Sequence, residues 1–261
     1  MSAQIKLVQK LRMKKFRAEF GLFLAEGLRL CEMAPDSEIE SGFYTAEFLA
    51  NERAEKLVER LKKVAPMQEI SASAFEKISE TQTPQGILLV MRQKLSSPEE
   101  VFAKNLIVAL DAVHDAGNLG TILRTAEAFS CGVVLLDDSV DVFNSKVVRA
   151  SMGAIFNLAL AKMPREKFLA LAESSGAEIL ATALDSAAEI YFEHDFTKKV
   201  ALVFGSEAEG VSAEILGAAR KIYIPMSGRA ESLNVSAAAA IVISEAIRQR
   251  KKILDKLNLT C

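Results

Sequence analysis

Short apolar runs separated by segments of helical period recur along this chain, most clearly in its second half. The runs at residues 106–110, 133–136, 155–159, 178–181, 200–204 and 221–224 are rich in Val, Ile, Leu and Ala. Such runs suit strands buried on both faces. Between most of them, apolar residues return at helical spacing over 121–129, 146–150, 165–174 and 235–257. This alternation predicts a mainly parallel sheet with helices on both faces. Residues 1–93 alternate more loosely. An opening helix carries Ile5, Val8, Leu11 and Phe16 as one apolar stripe. A short strand within 21–27 leads into a helix at 28–33. Strands follow at 41–45, 68–71 and 86–91, with helices at 46–64 and 74–79. The pattern predicts a small α/β domain over 1–93. The polar, proline-containing stretch from Lys94 to Pro98 reads as the start of a linker over 94–104, with a second domain over 105–261.

Composition narrows the class. A chain of 261 residues, half of them hydrophobic, holds one large or two ordinary domains with a sizeable core. The formal net charge of −2 says nothing of nucleic acid, but its distribution does. Lys6, Lys10, Arg12, Lys14, Lys15 and Arg17 all precede the first acidic residue, Glu19. That cluster reads either as the solvated face of an amphipathic helix or as an RNA-contacting surface. Cys31, Cys131 and Cys261 are dispersed without metal-ligand spacing and read as reduced thiols of a cytoplasmic protein. With His114 and His194 the only histidines, a histidine-rich metal site is not expected, and the spacing of Asp111, Asp115, Asp137 and Asp138 fits no common cation loop. No N-terminal signal segment and no membrane span are expected.

Three stretches join an apolar strand to a helix through a glycine-containing loop. The first runs over 110–129 with Asn118, Gly120 and Arg124. The second runs over 201–212 with Gly205, Glu207 and Gly210. The third runs over 224–241 with Pro225, Met226, Gly228, Ser232, Leu233, Asn234, Val235 and Ser236. Open α/β sheets place ligands at such strand ends. The second loop is not a phosphate loop, because it lacks the lysine and carries Glu207 and Glu209. The first lacks the glycine fingerprint of a dinucleotide site, which argues against an oxidoreductase. Together and in this order, the three resemble the signature of the SpoU (TrmH-like) family, the RNA 2′-O-ribose methyltransferases of the SPOUT class. The first unit resembles the substrate-binding domain that precedes many SpoU catalytic domains, through Lys14, Arg17, Phe23, Glu26, Gly27 and Arg29 and through residues 83–86.

The resemblance implies an α/β chain: a small RNA-binding domain followed by a mainly parallel-sheet methyltransferase domain whose C-terminal segment threads a trefoil knot. It implies S-adenosylmethionine as cofactor, held by Thr182, Ala183, Leu184, Gly205, Ile224, Met226 and Leu233. The alternative for Ile224 and Leu233 is plain core. Gly205 is expected to permit close backbone approach. Asn118, Arg124, Glu207, Ser232 and Asn234 are the implied catalytic set. Arg124, in an otherwise apolar segment, is expected to be buried. It either pairs with Glu127 or binds the phosphate beside the target ribose and stabilises the developing alkoxide, since guanidinium hardly deprotonates. Asn118 is expected to orient the hydroxyl or Arg124, and Glu207 to fix Arg124 or Asn234. Asn234 also suits the N-cap before Val235. His114 is assigned to loop structure. RNA contact is expected from Lys10, Arg12, Lys14, Lys15, Arg17 and Arg29. The expected function is ribose methylation, with ribosomal RNA first; a transfer-RNA enzyme and an inactive RNA-binding protein are the alternatives. No metal and no membrane partner are expected. A homodimer is expected, through Ala237, Ala238, Ala239, Ala240, Ile241, Ile243 and Ile247 of the last helix, with packing inside one subunit as the alternative.

Overall fold

A computed structural model describes residues 3–185 and 187–256. The chain forms two compact units. One comprises residues up to Lys94 together with Asp141–Phe156; the other comprises Leu95–Val140 together with the residues from Asn157 onward.

The first unit is a four-stranded mixed sheet with helices. Strands β1 (Leu22–Glu26), β2 (Ile39–Tyr44), β3 (Met67–Glu69) and β4 (Ile87–Arg92) lie in the order β1-β4-β2-β3, and only β2 and β3 pair in parallel. The opening basic segment is two helices, α1 (Ala3–Leu11) and α2 (Lys14–Phe20), because Met13 is extended at ψ 131°. Ile5, Val8 and Leu11 pack into a core with Leu24, Phe43, Phe75 and Leu88, while Phe16 stays half-exposed. Helix α3 (Leu28–Met33) follows β1. The expected helix over 46–64 begins as a separate single turn, Glu47–Ala50. It restarts as α4 (Glu52–Lys62) because the Asn51 side chain accepts from the Ala54 amide at 3.0 Å. Helix α5 spans Ala72–Glu76.

The second unit opens inside the stretch read as a linker. Ser97 and Glu100 form a reciprocal capping box that starts α6 (Pro98–Phe102), whose Val101 and Phe102 are buried. Then come β5 (Leu106–Asp111), α7 (Ala116–Ala128) and β6 (Gly132–Leu135). The next helix, α8 (Ser145–Ala150), belongs to the first unit and packs on β1, where the Phe143 ring lies 4.9 Å from Phe23. Back in the second unit are β7 (Ala159–Lys162), α9 (Arg165–Ser175), β8 (Glu178–Thr182), β9 (Glu189–Ile190), β10 (Val200–Gly205), α10 (Ala213–Ala218), β11 (Arg220–Tyr223) and α11 (Val235–Lys256). The strand expected at 155–159 starts only at Ala159, after a turn at Ala154–Phe156. Leu257, the expected end of the last helix, and Cys261 lie outside the described residues.

The seven strands run in the order β7-β6-β5-β10-β8-β11-β9, and every pairing is parallel. All residues of β5 and β10 are buried, as continuous apolar runs require. Ile107, Ala109, Val134, Ala161, Phe168, Ala201, Val203 and Ile215 form one core cluster. Each large side chain there contributes about 1.5–3 kcal/mol by leaving water. No described helix is long and apolar enough to cross a membrane.

Candidate active site

Chain order reverses between β5 and β10, and three catalytic candidates meet beyond their C-terminal ends, where a doubly wound sheet offers its crevice. Asn118 sits in the first turn of α7, which Asp115 caps by accepting from the Asn118 amide at 2.8 Å. The Asn118 Nδ2 donates to Glu207 Oε1, and its Oδ1 accepts from Asn234 Nδ2 at 2.9 Å. Asn234 Oδ1 in turn accepts from the backbone and hydroxyl of Ser236, at 2.9 and 2.6 Å. Asn234 therefore caps α11 and joins the site at once. Glu207 reaches Asn234 only through Asn118, and its second oxygen has no hydrogen-bond partner among the described residues.

Arg124 differs from expectation. It is exposed, and it has no hydrogen bond or ion pair among the described residues, to Glu127 or otherwise. Six residues of helix place it about 9 Å further along α7 than Asn118 and on a different face. There it lines a groove between α7 and α11 with Thr121, Thr125, Ala240, Ile241 and Ser244. Ser232 is exposed in the loop before α11. His114 is exposed as well.

The loop carrying Glu207 is held at both ends. Ser206 and Gly210 exchange backbone hydrogen bonds of 3.1 and 2.9 Å, and the Ser206 hydroxyl accepts from the Glu209 amide at 3.0 Å. A side chain on Gly205 would fall 2.0 Å from the Gly210 carbonyl carbon. The close approach that demands glycine at 205 is therefore made by the loop's own returning backbone. Past the loop, Asp111 accepts from the Ser212 amide at 2.8 Å and pairs with Arg165 at 2.7 Å. Sequence reading weighed Asp111 only as a metal ligand. Its signal was a carboxylate closing the buried run 106–111, which demands a cationic or backbone partner. No group of three His, Cys, Asp or Glu side chains able to hold a metal occurs among the described residues.

Four of the cofactor candidates, Thr182, Ala183, Gly205 and Ile224, lie in or just after β8, β10 and β11. Continued past the last paired residues, the strand register sets Gly205 level with Ala183, and Ile224 level with Leu184, at the neighbouring ends of β10, β8 and β11. Thr182 donates to the Val203 carbonyl at 3.3 Å, and the Ala183 amide donates to Ile222 at 3.0 Å, extending the sheet to that edge. Leu184 is 73% exposed, Leu233 is exposed, and Ile224 and Met226 are half-buried, so these aliphatics are not core. Apolar side chains left in water next to strand-end backbone suit the adenine of a nucleoside cofactor.

In the first unit, Lys10, Lys14, Lys15 and Arg29 are exposed. Two other cations expected on the RNA face have structural work. Arg17 is 4% exposed, pairs with Asp141 at 2.6 Å, and donates to the Leu11 and Arg12 carbonyls at 2.8 and 2.7 Å. Arg12 donates to the Lys77 and Ser79 carbonyls at 3.1 and 2.6 Å. Phe23 is core, and buried Glu26 accepts from Ser79, Thr81 and the Glu80 amide, fixing the loop before residues 83–86. Cys31 and Cys131 are free and buried; burial pushes the Cys131 thiol up to about 12 and that of Cys31 higher still.

A parallel sheet with a polar chain at its switch point, and a second α/β unit whose opening helices carry exposed lysines, is the arrangement expected of an enzyme that acts on nucleic acid with a nucleoside cofactor. The chain belongs to the SpoU rRNA methylase family, whose model matches residues 105–244. An MRM3-like substrate-binding domain matches residues 2–89. The chain is 34% identical over 243 residues to the 23S rRNA (guanosine(2553)-2′-O)-methyltransferase RlmP of Bacillus subtilis, spanning 92% of this chain and 94% of that one. It is 40% identical to the tRNA (guanosine(18)-2′-O)-methyltransferase of Thermus thermophilus, over 59% of this chain and 81% of that one. A crystal structure of an AdoMet-bound rRNA methyltransferase from Sinorhizobium meliloti superposes with a TM-score of 0.85 at 30% identity, covering 95% of both chains.

Proposed function

We propose that this chain transfers a methyl group from S-adenosylmethionine to a ribose 2′-hydroxyl of RNA, with ribosomal RNA as the substrate. The observation that carries the reading is the Glu207–Asn118–Asn234 chain beyond the strand ends, in a member of the SpoU family. Ribosomal RNA is preferred over transfer RNA because the similarity to the ribosomal-RNA enzyme runs through both units, whereas that to the transfer-RNA enzyme covers little more than half the chain.

When bound, S-adenosylmethionine supplies a methyl group on a sulfonium, which leaves as a neutral thioether. Gly205, Ile224, Met226 and Leu233, with Thr182, Ala183 and Leu184 beside them, would hold it. Asn118, its amide fixed from both sides, presents its remaining N–H to the substrate, and Ser232 completes the polar wall. Arg124, free of internal partners, binds the phosphate next to the target ribose and stabilises negative charge on the oxygen. The chain acts as a homodimer through the α7–α11 groove, which would place Arg124 at the subunit boundary. The last segment threads a trefoil knot, and the enzyme works in the cytoplasm.

Two measurements test this. Calorimetry should give one S-adenosylmethionine or S-adenosylhomocysteine site per chain without added metal; binding of NAD or ATP in their place would overturn the reading. Mass spectrometry of RNA from a strain lacking the protein should reveal one ribosomal ribose that has lost its methyl group and regains it on incubation with protein and cofactor. A methyl group lost from a base, or from transfer RNA only, would sink the ribosomal assignment.

A further inference from the structure

Helix α2 carries an aromatic pair that the fold does not bury. Phe16 and Phe20 lie parallel, with ring centroids 6.1 Å apart and planes 11° from each other. Phe16 and Phe20 are four residues apart within α2 and so share one face, and Met13 is the extended residue that precedes the helix. Met13 is 58% exposed and Phe20 40%. Lys10 and Lys15 place their ammonium groups 5.4 and 5.9 Å from the centre of the Phe16 ring. Lys6 and Lys14 are exposed nearby, and none of the four lysines has a carboxylate partner among the described residues.

Two physical requirements select the occupant. Flat apolar rings left in water call for a flat apolar face. Unpaired ammonium groups around them oppose an apolar protein partner, because such an interface would strip their water without offering charge. An unpaired nucleotide meets both requirements, with a base for the ring and phosphates for the lysines. We propose that Phe16 and Phe20 form a stacking platform on which an unpaired base of the RNA substrate lies against the free face of Phe20, while Lys10, Lys14 and Lys15 hold the flanking phosphates. The proposal rests on the reading of the chain as an RNA enzyme and adds to it a preference for a single-stranded or bulged nucleotide.

Full-length protein tests this by fluorescence anisotropy with three probes: an oligoadenylate of about a dozen nucleotides, its abasic counterpart, and an RNA duplex of similar length. Phe20→Ala should weaken oligoadenylate binding about 5- to 100-fold, the effect of losing one base–aromatic stack, and leave the other two probes unchanged. Phe20→Leu should behave like Phe20→Ala, and Phe20→Trp should keep the affinity. Lys15→Ala should weaken all three probes and lower the salt slope by about one. The platform is overturned if Phe20→Ala leaves oligoadenylate binding unchanged, if it weakens all three probes alike, or if phosphatidylserine vesicles bind better than any RNA probe. The methyltransferase reading fails separately, on absence of methyl transfer to RNA by the unaltered protein.

Discussion

Asn118 is the best-determined side chain of the site. An amide that donates to a carboxylate and accepts from a second amide has only one orientation, so Glu207 and Asn234 together fix which way Asn118 faces. Spacing within the three loops named these residues, but not who touches whom. Their meeting depends on the approach of residues 118, 207 and 234, which no local pattern encodes. Arg124 is the converse case. Leu119, Ile122, Leu123 and Ala126 form the buried stripe of α7, and Arg124 falls beside it, so helical phase alone already excluded a buried arginine. Its lack of a carboxylate partner among the described residues removes the ion-pair alternative and leaves the guanidinium available for the proposed phosphate contact. Arg124→Ala should therefore lower kcat by about 10²–10³-fold, or about 2.7–4 kcal/mol of barrier, as for loss of a charge-stabilising donor. Affinity for S-adenosylmethionine, measured by calorimetry, should not change. Near-normal turnover in the variant would remove Arg124 from the catalytic set.

Strands β5, β6 and β10 were legible because each is a continuous apolar run, and parallel burial imposes that pattern directly, whereas β7 starts only at the end of the expected run and the two-residue edge strand β9 leaves no such pattern. Other elements turned on capping and tertiary contact. Ser97 and Glu100 start α6 in a stretch whose proline and serines suggested a linker. The break between α1 and α2 leaves no mark in the apolar stripe. It brings Arg17 against the last carbonyls of α1, where Arg17 also grips Asp141. That ion pair ties the first unit to a segment more than a hundred residues away in sequence, which composition alone cannot reveal. Removing one member of a buried pair leaves the other charge unpaired, so Arg17→Ala should cost about 3–5 kcal/mol of stability. Urea denaturation would measure it, and a loss below about 0.5 kcal/mol, the scale of a surface pair, would refute the anchoring role.

The same segment changes what a truncation can show. Val142, Phe143, Val147, Val148, Ala154 and Ile155 are buried, and they belong to the first unit. Deleting residues 1–93 strips β1 from them, so the remaining chain should aggregate when expressed alone. A soluble product of monodisperse size would refute this. The proposed homodimer would assemble through the outer face of α11. Ala239, Val242, Ile243 and Ala246 are buried within their own subunit, which removes Ile243 and Ala239 from the surface once assigned to a partner. What remains outside is Ala237, Ala240, Ile241, Ser244 and Ile247, with Thr121, Thr125 and Phe129 across the groove from α11. Small residues there permit close helix approach, and an apolar groove of this kind is what a two-fold interface burying about 800 Å² per partner requires at its centre. Ile241→Arg adds a cation to a groove that already holds Arg124 and Arg248, in the middle of that face. Light scattering at low micromolar concentration should give a dimer mass for the native protein and a monomer mass for the variant, whose folding is reported by an unchanged far-UV circular dichroism spectrum. Because Arg124 lines the same groove, the monomeric variant should also lose methyl transfer while keeping its RNA affinity. A native protein that is monomeric and fully active would refute both the interface and the placement of Arg124 at a subunit boundary.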